Sequence, residues 1–473
     1  MTLPDSKTVR LEPHRFTLPL LDEPRASLES TRVSKKTTGC AAMEGATSIT
    51  SVIRSAACEL HSGQAMGCRQ VRLLNKLSRP SYPVTITSDT FSLRCSMSQW
   101  TSRVWLVMLI SASVAMARVS SGQTVGPKPD ELAKAREQGI NFLKTSQGSG
   151  GSWTSPESPG ISGLVIYSLL LSGVPASDPA VDKGLKHLLS FSQPDGGIYS
   201  PKSHHGNYET SITLLALNEA NKDGKYTEAI AKAEKYLRKL QWDDSESADR
   251  TDPKFGGAGY GKTGDRPDLS NTVFFLDALK AAGAKKDDPA VQKALVFLSR
   301  CQNLETEHNT TKFATLVNDG GFYYTPAAGG NSQAGNTANG GLRSYGSMTY
   351  AGLKSMIYAG LTPEDPRVKA AIEWITKFYS VEENPGLGQQ GVLYYHQMFA
   401  KALSTMDLDT IKDAQGKEHD WRKELAEHLF KLQQDNGAWL NKNDRWYEGN
   451  PDLGTAYVLI ALKHCEPKAK KTK

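Results

Sequence analysis

Gln433-Gln434-Asp435-Asn436-Gly437-Ala438-Trp439 follows an amphipathic stretch that closes on His428-Leu429, and it precedes a more apolar stretch from Asp452. The same pattern, Gln, three residues, Gly, one residue, aromatic, stands at Gln147/Gly151/Trp153 and at Gln193/Gly197/Tyr199. Working outward, six amphipathic segments end alike: Phe142-Leu143, Leu188-Leu189, Tyr236-Leu237, Phe297-Leu298, Trp374-Ile375 and His428-Leu429. The third and fourth turns carry insertions before resuming at Gly256-Gly257-Ala258-Gly259-Tyr260 and Asp319-Gly320-Gly321-Phe322, and the fifth has Tyr379 where the Gln belongs. A second, greasier segment follows each turn, starting near Gly160, Tyr208, Asp268, Tyr345, Gly391 and Asp452. Apolar residues three and four apart over such lengths predict helices rather than strands, and Gly173, Gly283 and Gly360 sit where helix C-caps belong. The repeat is thus a helical hairpin, present six times.

A polar helix with Lys134, Glu137, Lys232 and Lys235 suits an outer layer, and the greasy helix an inner one covered on both sides. Six hairpins form either an open solenoid or a closed ring. No polar capping repeat is visible, so the expectation is a closed all-α fold, an α6/α6 toroid over residues 129–466.

Composition fits: 38% apolar and 22% charged residues describe a folded chain, not a disordered one. The +6 net charge belongs to residues 1–117, which hold 14 Lys and Arg against 8 Asp and Glu. The rest has 42 of each sign, so the folded part exerts no net pull on nucleic acid. Residues 104–117, an apolar run after Arg103 that closes on Ala115-Met116-Ala117, read as a signal peptide at 97–117, too short to span a membrane. Residues 1–96 read as disordered or as translated from a start site set too far upstream; a disordered arm before an uncleaved anchor stays open. Residues 118–128 form a linker, and the expectation is an exported mature chain with no membrane span. The tail 467–473, with Lys468, Lys470, Lys471 and Lys473, reads as a frayed, solvated end. Only Cys301 and Cys465 lie beyond the leader, which leaves neither a disulfide framework nor a zinc ribbon.

The Gln-x-x-x-Gly-x-aromatic turn between paired helices resembles the repeat of the squalene-cyclase and prenyltransferase family, over about residues 126–466. In that reading Gln147, Gln193 and Gln433 bond orphan backbone groups at helix ends, while Trp153, Tyr199 and Trp439 seal the turns. The resemblance implies a cavity for an isoprenoid and either an Asp-x-Asp-Asp-Thr acid or a zinc site. The stretch matching the acid motif is Asp268-Leu269-Ser270-Asn271-Thr272, with Ser270 and Asn271 in place of two acids. Gly454 stands where the prenyltransferases carry a zinc-ligand His, and no Asp-x-Cys pair exists. No metal or cofactor is expected.

Aligning the six inner helices puts Gly163, Thr210, Thr272, Thr349, His396 and Thr455 at one level, with the Thr residues read as packing or helix-start hydrogen bonding. Glu209, Asp268 and His396 are the candidate acid and base residues. Tyr208, Asn271, Phe274, Tyr350, Tyr394 and Tyr395 are the candidate cavity wall, suited to an isoprenoid cation or to sugar stacking. The long insertion 307–345 reads as a lid or a disordered loop near the mouth. The expected function is the holding of an apolar, isoprenoid-like ligand or a protein partner. The alternative is an enzyme acting on a terpenoid or a polysaccharide through Glu209, Asp268 and His396.

Overall fold

The computed structural model describes residues 124–244, 249–261 and 266–471. The extension, the signal peptide and most of the linker lie outside them. The six outer helices are α1 (Pro129–Ser146), α3 (Pro179–Leu189), α5 (Thr227–Arg238), α7 (Pro289–Arg300), α10 (Pro366–Lys377) and α12 (Trp421–Leu432). The six inner helices are α2 (Gly160–Leu171), α4 (Gly206–Ala220), α6 (Leu269–Ala281), α9 (Gly346–Tyr358), α11 (Val392–Thr405) and α13 (Pro451–His464); a single turn, α8 (Ala314–Val317), lies in the insertion. Each inner helix packs on the next, and α13 packs back on α2, so the ring is closed. The fold is an α6/α6 toroid.

Burial separates the layers as the composition requires. In α6 every residue from Leu269 to Leu276 is buried, whereas α5 buries one stripe, Ile230, Ala233, Tyr236 and Leu237. The outer helices α3, α7 and α10 start at Asp-Pro pairs. Asp178, Asp288 and Asp365 each accept the backbone N–H two residues on, and Pro at the first helical position gives up no hydrogen bond. The inner helices α2, α6 and α9 end in paired backbone bonds around Gly173, Gly283 and Gly360, such as Gly173 N to Leu170 O and Val174 N to Leu169 O.

The repeat turn divides its labour differently from the sequence expectation. The Gln side chains tie consecutive outer helices together instead of capping their own. Gln147 Nε2 donates to Gly151 O at 3.1 Å and to Ala180 O in α3 at 2.8 Å; Gln241 reaches Ala290 O in α7 and Gln302 reaches Arg367 O in α10, each at 2.8 Å. Gln433 closes the circle, donating to Ala135 O in α1 at 2.9 Å. The orphan carbonyls go to the aromatics: Trp153 Nε1 donates to Leu143 O and Trp439 Nε1 to Leu429 O, both at 2.7 Å and both in the last turn of an outer helix. Gly437 completes the turn with φ +88°, and a Cβ there would lie 2.4 Å from Gln138 O of the neighbouring helix.

The second repeat is out of register by one residue. The turn bond that Gly148 N makes to Ser152 O is made by Gln193 N to Gly197 O, so Gln193 occupies the place after the motif Gln and Ile198 the place of Trp153. Gln193 Nε2 accordingly donates to Phe191 O and Tyr199 O within its own turn. Tyr199 instead stacks on Tyr236. In the fifth repeat, Tyr379 OH spans to Glu424 of α12 at 2.8 Å, replacing the Gln tie with another one.

Two further expectations change. The basic tail is paired, not frayed: β4 (Lys468–Ala469) runs antiparallel to β1 (Thr124–Val125), and Lys468 meets Asp407 and Asp409. A hairpin of β2 (Ile411–Lys412) and β3 (Glu418–His419) precedes α12. The insertion is ordered around its own small core of Phe313, Tyr323 and Leu342, with Phe322 and Tyr324 packed into the main one.

Candidate functional site

A ring of like bonds fixes which way five of the six inner helices face. The hydroxyls of Thr210, Thr272, Thr349 and Thr455 accept the backbone N–H of Ile198, Ala258, Phe322 and Trp439 at 3.0 to 3.1 Å; in the first repeat Ser162, not Gly163, takes the N–H of Trp153 at 2.9 Å. These hydroxyls point outward, toward the turns. At 100° per residue, positions two before and two after them face the opposite way. Two before stand Gly160, Tyr208, Ser270, Ser347, Tyr394 and Leu453; two after stand Leu164, Ile212, Phe274 and Tyr457. All ten line one cavity at the N-terminal mouth of the inner helices.

The cavity and the open space at its mouth together span about 990 Å³. Its wall is aromatic. Phe274 packs edge-on to Tyr208 at 5.3 Å and stacks with Tyr394 at 6.5 Å, and Tyr394 meets Tyr457 at 5.9 Å. Ser270, at the place of the central acid in the motif of the resemblance, accepts from Tyr208 OH at 2.7 Å and shares a bond with Tyr394 OH at 3.2 Å. The insertion contributes Tyr324, Gln333 and Tyr345, and the loop before α13 adds Trp446, Tyr447 and Glu448.

Trp446 and Tyr447 both hold left-handed backbone, φ +62° and +65°, a conformation that costs about 1–3 kcal/mol each unless the surroundings enforce it. Tyr447 N donates to Asp444 O at 2.9 Å within this loop, and the Arg445 guanidinium reaches Gln390 and, at 2.8 Å, Gln333 of the insertion. The Trp446 ring lies where a Cβ on Gly391 would be, 2.7 Å away.

Glu448 was not among the residues singled out from sequence, and its task is structural as well as lining. Helix α11 follows Gly391, which has no side chain to cap it. Glu448 Oε1 accepts from Tyr394 N at 2.7 Å, and Oε2 accepts from Leu393 N at 3.2 Å and from Asn441 Nδ2 at 2.8 Å. Burial pushes its carboxyl up to about 7, against the pull of those donors.

The three proposed acid and base residues do not converge. Glu209 lines the cavity; its oxygens accept from Ser158 Oγ at 2.7 Å and Ser200 N at 2.8 Å, and burial raises its pKa above the ordinary carboxylate value. Asp268 lies behind Ser270, fully buried, as the N-cap of α6, accepting from Asn271 N at 2.9 Å and Asn271 Nδ2 at 2.8 Å. Burial pushes it up to about 6. His396 belongs to the outward-facing level of the Thr ring, packs edge-on to His428 of α12 and bonds Val381 O through Nε2 at 2.9 Å. A carbonyl partner requires Nε2 to carry a proton, and burial, which holds the pKa down to about 3, keeps Nδ1 unprotonated and the ring neutral. Of the six proposed wall residues, Tyr208, Phe274 and Tyr394 line the cavity. Asn271, Tyr350 and Tyr395 stand one residue from the outward level and turn into the core: Asn271 pairs with Asn207, and Tyr350 packs on Tyr395 and Phe399. Further along the inner helices, Asp277 of α6 accepts from Lys354 of α9 at 2.5 Å and from Lys401 of α11 at 2.8 Å, an ionic tie across three repeats.

A closed ring of six hairpins around an aromatic cavity is the architecture of the α/α toroid proteins, and the family comparison agrees. Residues 154–325 match the model of the squalene-hopene cyclase C-terminal domain. Over that segment the chain is similar to the squalene-cyclase family, and its fold is the α/α toroid. Among solved structures, the type II terpene cyclase MstE from Scytonema is similar at 12% identity over 71% of this chain and 98% of that one, with a TM-score of 0.44. A variant of that enzyme in complex with geranylgeranyl dihydroxybenzoate is similar at 11% identity over 71% of this chain and 97% of that one, with a TM-score of 0.45. A D-mannose isomerase is similar at 12% over 72% and 97%, with a TM-score of 0.46. No curated protein matches the sequence.

Proposed function

We propose that this protein is an exported binding toroid that holds an apolar, isoprenoid-like molecule in the cavity at the N-terminal mouth of its inner helices. The observation that carries the reading is the wall itself. All six inner helices turn side chains into one aromatic chamber, while Glu209 and Glu448 spend their oxygens on backbone and hydroxyl donors and Ser270 replaces a central acid. Burying a chain against such a wall is worth about 25 cal/mol per Å² of apolar surface, so even a modest ligand is retained without a charged anchor. Catalysis by Glu209, Asp268 and His396 would need the three to share a substrate, and of these only Glu209 reaches the cavity.

Native mass spectrometry of the protein purified without detergent tests the binding reading. A bound apolar molecule, extractable into organic solvent and lost in the Phe274→Asp variant, is the expected result; a chain that is empty and takes up no added isoprenoid contradicts it. Export is tested on the same sample, where a mature N-terminus near Arg118 is expected and peptides from residues 1–96 would contradict it.

A further inference from the structure

Beside the apolar cavity runs a second, open depression, about 1010 Å³ with the solvent space above it, between the turn after α1 and the turn after α3. The two share Ser158, Ile161, His205, Glu209 and Tyr447. The lining grows more polar across that shared wall, where Thr154, Ser155, Ser200, Ser203 and His204 stand beside Trp153. A single ligand lying across the boundary would be apolar at one end and rich in hydrogen-bonding groups at the other.

Charge decides what kind of polar end fits. Lys202 is the one lysine or arginine in either lining, against Glu157, Glu209 and Glu448. The positive ends of four of the six inner helices, which would otherwise favour an anion, already face carboxylates: Asp268 caps α6, Glu448 caps α11, and Glu209 and Asp452 lie in the first turns of α4 and α13. The Ser200 N–H, a donor aimed at the boundary, is taken by Glu209. A diphosphate needs several cationic or metal partners. Among the described residues no group of three His, Cys, Asp or Glu side chains is placed to hold a metal ion.

We infer that the polar groove receives the uncharged, hydroxyl-bearing head of an amphiphile whose apolar chain fills the cavity, and that it rejects a diphosphate head. This rests on the cavity reading above, and the probes separate the two. Three ligands with the same twenty-carbon skeleton are titrated by quenching of intrinsic tryptophan fluorescence: the hydrocarbon phytane, geranylgeranyl β-glucoside and geranylgeranyl diphosphate. The glucoside is expected to bind at least tenfold more tightly than either of the others, and Glu157→Lys to raise diphosphate affinity about fivefold or more. Equal binding of all three leaves the cavity reading standing and overturns the head-group inference, as does a diphosphate that binds the unaltered protein best or ignores Glu157→Lys. Binding of none overturns both.

Discussion

At the residue scale, the Thr ring explains which sequence expectations held their place and which moved. Thr210, Thr272, Thr349 and Thr455 align in the sequence because each holds a turn N–H, and that bond turns them away from the cavity. His396 shares their level and therefore their direction, which no single sequence reveals; periodicity fixes relative angles between residues but not which angle faces the axis. Tyr208 and Phe274, two before and two after that level, were read as wall together with Tyr350 and Tyr395, which aromatic character alone does not tell apart from them. Burial of His396 as a neutral ring has a consequence in acid. The unfolded chain binds a proton below its ordinary value of about 6.5, whereas the folded ring resists to about 3. Stability contributed here is complete above about pH 6.5 and is lost as pH falls toward 3. Between pH 6.5 and 5 the loss from this one group is about 2 kcal/mol. Denaturant titrations are expected to show His396→Gln losing correspondingly less than the unaltered protein over that interval; identical pH profiles would place His396 in contact with solvent.

At the element scale, existence and type of the twelve long helices followed from apolar spacing, and the starts read for the six inner ones fell within two residues of the structure. Turn chemistry was harder. The register slip that moves Gln193 off the motif is invisible in sequence because Gln193/Gly197/Tyr199 fits the pattern as well as the true turns do; only the backbone bond of Gln193 N to Gly197 O betrays it. The insertion, read as a lid or a disordered loop near the mouth, was ambiguous for a different reason. Its Gly, Asn and Ser content reads as a loop, but Phe313, Tyr323 and Leu342 come together only in three dimensions. Because that small core holds the segment that presents Tyr324, Gln333 and Tyr345 to the cavity, Phe313→Ala should act locally. A large-to-small change at a buried aromatic costs about 3–5 kcal/mol. Hydrogen exchange is expected to quicken across residues 314–342 and ligand affinity to fall, with protection of α2, α4 and α13 retained. Uniform loss of protection throughout would show that the insertion is integral to the ring and not an appended wall.

At the scale of the whole molecule, closure is the property that matters. An open solenoid adds stability repeat by repeat and loses it the same way. Here the first and last repeats meet through α13 on α2, Gln433 on Ala135 and β4 on β1, so no terminal repeat is free to fray. Helix signal by circular dichroism and tryptophan fluorescence are expected to report one coincident unfolding transition; separated transitions would describe a linear array. Ring closure also brings the six N-terminal mouths together into one chamber, and on that chamber the functional account stands or falls. Photo-crosslinking with a diazirine-bearing isoprenoid tests it most directly. Labelled peptides are predicted to carry Phe274, Tyr394 and Tyr457, the aromatics of the inner helices, whereas labels confined to outer helices such as α5 and α12 would contradict the account.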